Sequence, residues 1–591
     1  MRKAKGAWYR LTPVFVFIAA FMLLVSGGYL DTSAALAQGQ VKAVDSMRPD
    51  RETMEGVVIG AINKATNTLS WKGIPYAKPP VGKLRWKAPQ APEKRSTPFK
   101  AINFCEVCPQ YVDHDNNPYT PNVIQGTEDC LYLNIWRPRT KAADLPVFFW
   151  IHGGANSTQW PLLTDTDASM LANKSNLVVV TVNYRLGPMG FFSHPALRTG
   201  KKGDEKSDSG NFGLLDLMQA LSWVKANSNA FGGDPDNVII AGESAGGQNV
   251  ISLIASPLAK GLFHRAISES AVIKPTTPAQ GAEHANKVIA KLLVKDRRAA
   301  DETIAAAKVK GMPLKEIEKY VRSKSAQEFL ECYPEGRLRL VVFPNSFTDG
   351  TVLPTDFYGA LKAGSYNKVP IILGTNKEEA KLFFLFDPRF IAWRNDSSLF
   401  RDKAKAAMYD LAAKYQSDGW KVMAVDQVAR IMRSNADQPP VYAYQFLWGA
   451  GGLKKSVIPF PINQVLGACH AMEIDFVFGT EAVSFGGYAF DEKNRPGRVA
   501  LSQAMMNYWA HFAWTGDPNR KGSGLPQWKA WSNGKGAPKI ILLDADYNNL
   551  KIKMSKQELT EAAIEKALKA EPRQKEIQPF WDMSYARSLM K

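Results

Sequence analysis

The sequence predicts an α/β protein built on a doubly wound, mostly parallel sheet, and three observations predict it. Short continuous apolar runs recur along the chain, as in strands buried on both faces. Stretches with apolar residues at helical spacing separate them. A glycine-flanked turn, Gly242-Glu243-Ser244-Ala245-Gly246, stands where one such run passes directly into a helical stretch.

In chain order, Glu55 to Gly60 and Ser70 to Ile74 read as short strands divided by polar turn residues, and the Pro79-Pro80-Val81-Gly82 stretch as loop. Pro146–Ile151 and Leu177–Val182 read as buried strands, the second rich in β-branched residues. Phe212–Ala226 has helical spacing; Val238–Ala241 is the next buried strand, with a helix expected over Gly246–Ala255. Pro370–Leu373 and Val441–Leu447 complete the predicted strands. Helical segments are expected over Glu283–Val309, Leu314–Leu330 and Arg401–Tyr415, and an amphipathic helix over Lys556–Ala570, with Phe580-Trp581 folding back onto the body. No linker divides the chain, so one domain with a helical insertion is expected over residues 38–591.

Residues 1–37 read as a secretory signal peptide: Arg2, Lys3, Lys5 and Arg10, then 12 apolar residues from Val14 to Val25, then a small-x-small site ending at Ala37. The run is short for a spanning helix, although Tyr29 and Leu30 extend it and make an uncleaved anchor the rival reading. A secreted or periplasmic protein, without stable membrane insertion once the signal is removed, is the expectation. The apolar share of 45% is ordinary globular usage and excludes wholesale disorder. Five Cys in 591 residues exclude a disulfide scaffold. The net charge of +18 could favour anionic partners. Between Glu283 and Glu328, however, eleven basic residues are interleaved with seven acidic ones, as on a solvated helical face, and no nucleic-acid motif accompanies them.

The chemistry concentrates on Ser244. A sharp strand-to-helix turn forces its middle residue into a strained conformation, and the flanking glycines remove the Cβ clashes that would forbid it. Ser244 then projects at the amino end of a helix, where negative charge is favoured. A serine hydroxyl needs a base. Of seven His (114, 152, 194, 264, 284, 470 and 511), those after Ser244 are eligible by the chain order Ser, acid, His. His264 follows too closely, His284 lies on the charged helical region, and His511 reads as a packed core residue on an aromatic-rich helix. His470, in a loop after Val441–Leu447, is the candidate base. The acid should follow a strand between the two. Glu378 and Glu379, just beyond Pro370–Leu373, both qualify, and spacing does not choose between them; Asp349 is weaker, with turn formation as its plainer role. His152-Gly153-Gly154-Ala155 follows Pro146–Ile151 and has the form of a loop that donates backbone N–H groups to an oxyanion; Gly154, Ala155 and Ala245 are the expected donors, with His152 ordering the loop.

These residues, with Phe231-Gly232-Gly233-Asp234-Pro235 through Gly247 and Glu128-Asp129-Cys130-Leu131-Tyr132-Leu133-Asn134, resemble the type-B carboxylesterases, the family that includes the cholinesterases. Gly73-Ile74-Pro75-Tyr76-Ala77, Asn183-Tyr184-Arg185 and Phe580-Trp581-Asp582 extend the resemblance from about Glu55 to Asp582. It implies an α/β-hydrolase fold and a serine esterase with Ser244 as nucleophile, His470 as base, Glu379 as acid and the same three oxyanion donors. Ala380 stands where the family usually has Gly after the acid. The resemblance also implies a Cys108–Cys130 disulfide, worth roughly 3 kcal/mol by the chain-entropy argument. Cys105, Cys108, Cys130 and His114 could instead be read as metal ligands, but their spacing fits no zinc pattern well; no metal or cofactor is expected. Cys332 and Cys469 are expected to be free thiols. Cholinesterases carry a Trp inside the disulfide loop that holds a quaternary ammonium; residues 109–129 here have none, which argues against a choline ester specialist. The same triad would serve amides, lactones, thioesters or carbamates, and a non-catalytic binding protein on this fold is the rival of another class.

Overall fold

The computed structural model describes residues 47–113, 122–159, 167–333, 340–341, 343–480 and 486–582. The expected signal peptide and its cut after Ala37, together with His114, lie outside the described residues.

An 11-stranded mixed sheet runs through the molecule. In chain order its strands are β1 (Ala61–Asn63), β2 (Thr68–Pro75), β3 (Tyr132–Pro138), β4 (Leu145–Ile151), β5 (Val178–Val182), β6 (Gly233–Glu243), β7 (Arg265–Glu269), β8 (Ile371–Asn376), β9 (Val441–Phe446), β10 (Ile540–Leu543) and β11 (Lys553–Ser555). Their spatial order is β11-β10-β9-β8-β7-β6-β4-β5-β3-β2-β1. The pairs from β5 through β4 to β10 are parallel, and the edges β1, β2, β3 and β11 join antiparallel.

The apolar runs are two-faced, as their composition requires. Val147, Phe149 and Ile151 of β4 enter one core while Phe148 and Trp150 enter the other. Val238 and Ile240 of β6 divide from Ile239 and Ala241 in the same way. Helices α1 (Phe212–Asn227) and α2 (Ala245–Ala255) cover the first face beside them.

After β4 the chain moves outward to β5, then returns across β4 to form β6. The strand order therefore reverses between β4 and β6, and the carboxyl ends of an open parallel sheet at such a reversal are where ligand sites form. His152 follows β4 there, and Ser244 follows β6.

Several elements differ from the sequence expectation. Five strands of this sheet are additional: β1, β3, β7, β10 and β11. Two of these, β3 and β7, are interrupted by polar residues, and each of these finds a buried partner: Asn134 donates to Thr181 Oγ1 at 3.0 Å, Arg137 Nη1 donates to the Phe231 carbonyl at 2.9 Å, and Ser268 Oγ donates to the Gly247 carbonyl at 3.1 Å. The segment at Glu55 forms a strand over Gly56–Ile59 in a separate 3-stranded sheet. The expected helix over Glu283–Val309 is two helices, α3 (Pro278–Lys295) and Glu302–Gly311, because Asp301 caps the second by accepting from the Ile304 N–H. The expected amphipathic helix over Lys556–Ala570 is shorter, Glu561–Lys569. Thr560 caps it, and the preceding residues are held extended where the Leu559 N–H donates to Asp426 Oδ2 at 2.7 Å. Phe580 stacks on Phe390 with ring centroids 5.1 Å apart.

The Asn183-Tyr184-Arg185 stretch after β5 is anchored by a buried ion pair. Arg185 Nε and Nη2 each donate to Asp216 of α1 at 2.7 Å, and the Arg185 backbone N–H reaches Asp216 Oδ2 at 3.1 Å. Both side chains are buried. Removing one partner strands the other charge without solvent. Asp216→Ala is expected to lower unfolding free energy by about 3–5 kcal/mol, measured by urea denaturation; a loss below about 1 kcal/mol would mean that the pair is dispensable.

Candidate active site

Ser244 stands between β6 and α2 with φ 58° and ψ −121°, a left-handed backbone that a serine adopts only under constraint. The constraint is close packing. A Cβ on Gly246 would stand 2.0 Å from the Ile151 carbonyl oxygen, and one on Gly242 would stand 2.6 Å from that same atom. The Ser244 N–H donates to the Glu269 carbonyl of β7 at 2.8 Å. Ser244 is half-buried, and its Oγ has no hydrogen-bond partner among the described residues.

The loop after β4 passes directly over it: a Cβ on Gly153 would stand 3.1 Å from Ser244 Cβ. Gly154 has φ 95° and Ala155 φ 55°, which turns the loop back on itself. The backbone N–H groups of Gly154, Ala155 and Ala245 donate to no protein acceptor among the described residues. Ala245 is the first residue of α2, so its N–H has no partner within the helix. His152 does not approach the reacting centre as a base. It stacks on Tyr184 with centroids 4.6 Å apart, its Nδ1–H donates to the Gly153 carbonyl at 2.8 Å, and Tyr184 OH donates to its carbonyl at 3.0 Å.

Glu379 and His470 are in contact. His470 Nδ1 lies 2.6 Å from Glu379 Oε2, and both side chains are buried. Glu379 Oε1 accepts from Ser270 Oγ at 2.6 Å, from Thr375 Oγ1 at 2.7 Å and from the Asn376 N–H at 2.7 Å. These donors fix the carboxylate and leave its other oxygen facing the imidazole. Asn376 also donates to the Cys469 carbonyl at 2.7 Å and to Glu473, so one side chain ties the end of β8 to the His470 loop. The rings of Trp420 and Phe383 flank His470, with centroids 5.0 and 5.4 Å away.

The other ring nitrogen, Nε2, faces Glu243 Oε1 at 3.1 Å. Burial pushes Glu243 well up, and the nearby carboxylates of Glu473, Glu379 and Glu269 push it further. Both effects favour the protonated form of Glu243. Burial likewise pushes Glu473 well up and Glu269 up to about 8, the latter opposed by a hydrogen bond from Trp509 Nε1 at 2.9 Å. Glu243, Glu269 and Glu473 were not singled out from the sequence. The signal for Glu243 was present in the Gly242–Gly246 turn itself; Glu269 and Glu473 lie beside Ser270 and three residues after His470.

A sequence profile described as the carboxylesterase family matches residues 48–424 and 413–562. The chain belongs to the carboxylesterase family. Among its relatives, a para-nitrobenzyl esterase of Bacillus subtilis is 33% identical over 496 residues, covering 80% of this chain and 91% of that protein. A human cocaine esterase is 33% identical over 539 residues, covering 83% and 87%. A solved para-nitrobenzyl esterase structure superposes with TM-score 0.65 at 29% identity, covering 88% of this chain and 99% of its own. The carboxylesterase chain thus has the α/β-hydrolase fold and is a carboxylic ester hydrolase.

The remaining candidates fall outside this cluster. In the carboxylesterase, Asp349 accepts from the backbone N–H groups of Thr351, Val352 and Leu353, the turn role that its sequence context suggested. His264 Nδ1 accepts from the Val238 N–H at 3.1 Å, midway along β6 and away from Ser244. His511 is not a core residue, contrary to expectation. It is half-buried near the C-terminus of its helix, Arg495–Thr515, where Nδ1 donates to the Asp517 carbonyl at 2.7 Å, while Tyr508, Trp509 and Phe512 take the buried positions. Cys108 and Cys130 form a disulfide, which removes two of the four would-be metal ligands. Cys105, Cys332 and Cys469 are free, and burial pushes the Cys105 thiol up to about 12. Among the described residues no group of His, Cys, Asp and Glu could hold a metal ion, and no helix is long and apolar enough to cross a membrane.

Burial pushes His152 down to about 4 from its ordinary 6.5. Between these two pH values the unfolded chain takes up a proton that the folded chain refuses. His152 therefore leaves the fold fully stable above pH 6.5 and destabilises it progressively as pH falls towards 4. The loss reaches at most about 3 kcal/mol. His152→Phe, which keeps a ring against Tyr184, is expected to flatten the pH dependence of urea-unfolding free energy in that window; an unchanged slope would mean that His152 is not held neutral.

Proposed function

We propose that the chain is an exported serine carboxylesterase that works through an acyl-enzyme on Ser244, with His470 as general base and Glu379 as its orienting acid. The observation that carries the reading is the 2.6 Å contact between His470 Nδ1 and Glu379 Oε2 at the carboxyl edge of the sheet that also bears the strained Ser244. With Nδ1–H donated to Glu379, the base lone pair is on Nε2.

In this reading Ser244 Oγ attacks the ester carbonyl carbon and His470 Nε2 takes its proton. The Ser244–His470 hydrogen bond forms as substrate binds, since such bonds are commonly long or misaligned in unliganded enzymes. Glu379 stabilises the imidazolium without becoming protonated. The tetrahedral oxyanion is received by the N–H groups of Gly154, Ala155 and Ala245, a role supported by their lack of other acceptors among the described residues. The imidazolium then protonates the leaving alcohol. Water, activated by the same nitrogen, attacks the acyl carbonyl and releases the acid. Small or medium acyl esters are the proposed substrates; the para-nitrobenzyl esterase and cocaine esterase among the relatives support ester hydrolysis. Export is supported by the basic start and apolar run of residues 1–37 and by the Cys108–Cys130 disulfide, which favours an oxidising compartment.

Hydrolysis of a p-nitrophenyl ester series from acetate to decanoate tests the mechanism. Ser244→Ala is expected to lower kcat at least about a thousandfold, and a fluorophosphonate is expected to label the wild type but not the variant. A folded wild type that neither hydrolyses the series nor reacts would sink the reading in favour of a binding protein. Activity on amides, lactones or thioesters in place of esters would keep the triad and move the substrate class. For export, mass analysis of protein secreted by a signal-processing host is expected to find an amino terminus at Gln38; an intact Met1 would instead support an anchor.

A further inference from the structure

Glu378 and Glu379 are adjacent acids with opposite duties. Glu379 faces His470, whereas Glu378 faces the loop that carries His470. The Glu378 N–H donates to the Ala468 carbonyl at 2.9 Å, and Glu378 Oε2 accepts the Ala468 N–H at 3.1 Å. This pair of bonds joins the turn after β8 to the chain two residues before His470. Gly467 makes the approach possible: it has φ 54°, and a Cβ there would stand 1.9 Å from Glu378 Oε2.

The clamp puts a carboxylate largely out of water, and one cation answers it. Lys381 is wholly buried, with Nζ 3.0 Å from Glu378 Oε1 and 3.0 Å from Asp410 Oδ1. Asp410 belongs to the helix Lys403–Lys421 and also accepts from Gln464 Nε2 at 3.2 Å, within the segment leading to the His470 loop. Tyr409 OH of the same helix donates to the Val465 carbonyl at 2.8 Å.

We propose that Glu378, neutralised by Lys381 and braced by Asp410, is a positioning residue that fixes the His470 loop against the acid turn and so sets the Glu379–His470 contact. Resting on the serine-esterase reading, it assigns a role to the acid which that mechanism leaves idle. Without Lys381 the buried Glu378 carboxylate would be uncompensated and would pull towards water. An ångström of displacement at a catalytic group costs up to about a hundredfold in rate.

The test uses the full protein, with active sites counted by fluorophosphonate and kcat and KM measured on p-nitrophenyl butyrate. Lys381→Met is expected to lower kcat per counted site about 10- to 100-fold with KM within about twofold. The double variant Lys381→Met/Glu378→Gln is expected to recover most of it, because Gln still accepts from Ala468 without a charge to neutralise. Unchanged kcat in Lys381→Met, or a double variant as impaired as the single, overturns the proposal. Should Lys381→Met not fold, Glu378→Ala is compared with Glu378→Gln. A lower kcat in Ala alone supports the clamp, and equal kcat overturns it. A wild type that fails to react with the fluorophosphonate overturns the serine-esterase reading and this proposal with it; a reactive wild type with an unaffected Lys381→Met overturns this proposal alone.

Discussion

Everything at the site depends on the contact between the turn after β6 and the end of β4. Gly242 and Gly246 lie so close to the Ile151 carbonyl that no side chain fits between them. That contact brings Ser244, the free N–H groups and the His152 loop into one small volume, and holds Ser244 in its left-handed backbone. Strain of this kind costs about 1–3 kcal/mol and persists only where surrounding structure over-determines it. Here the surroundings are two parallel strands, β4 and β6, paired along most of their length, and β7, which receives the Ser244 N–H.

Behind the reacting face lies a concentration of buried carboxyl groups that a core would ordinarily exclude. They are tolerated by division of labour. Glu379 is held by three donors. Glu243, Glu269 and Glu473 have fewer partners and lie close enough to oppose one another's ionisation, so burial and repulsion push all three up. Burial and mutual repulsion thus disfavour ionisation at three of the four carboxyl groups, and Glu379 is the one that faces His470 Nδ1.

The fold class and the strands β4, β5, β6, β8 and β9 were legible in the sequence, because strands buried on both faces are apolar along most of their length. β3 and β7 were not, because their polar residues are satisfied by partners far along the chain, such as Thr181 for Asn134. The same limit applied at the site. Ser244 and the His152–Ala155 loop announce themselves by local pattern, and His470 by its order in the chain. The choice between Glu378 and Glu379 needed either a family resemblance or the fold, since adjacent residues on a turn point apart and only tertiary structure says which way His470 lies. The carboxyl groups behind Glu379 and His470 were invisible for a related reason: a Glu in a sequence does not declare whether it will be buried.

The helix Lys403–Lys421 ends in a π-helical turn, Val422–Asp426, and that wide turn has consequences at both ends of the molecule. On one side it follows Trp420, whose ring lies against His470 and whose Nε1 holds the Ser270 carbonyl at 3.0 Å. On the other, Asp426 is paired with the buried Lys421 and receives the Leu559 N–H. The stretch around Leu559 is therefore tied to the turn that follows Trp420. A ribosome must deliver Leu559 before Asp426 gains that backbone partner, so a chain cut short of it would leave the wide turn beside Trp420 with one anchor fewer.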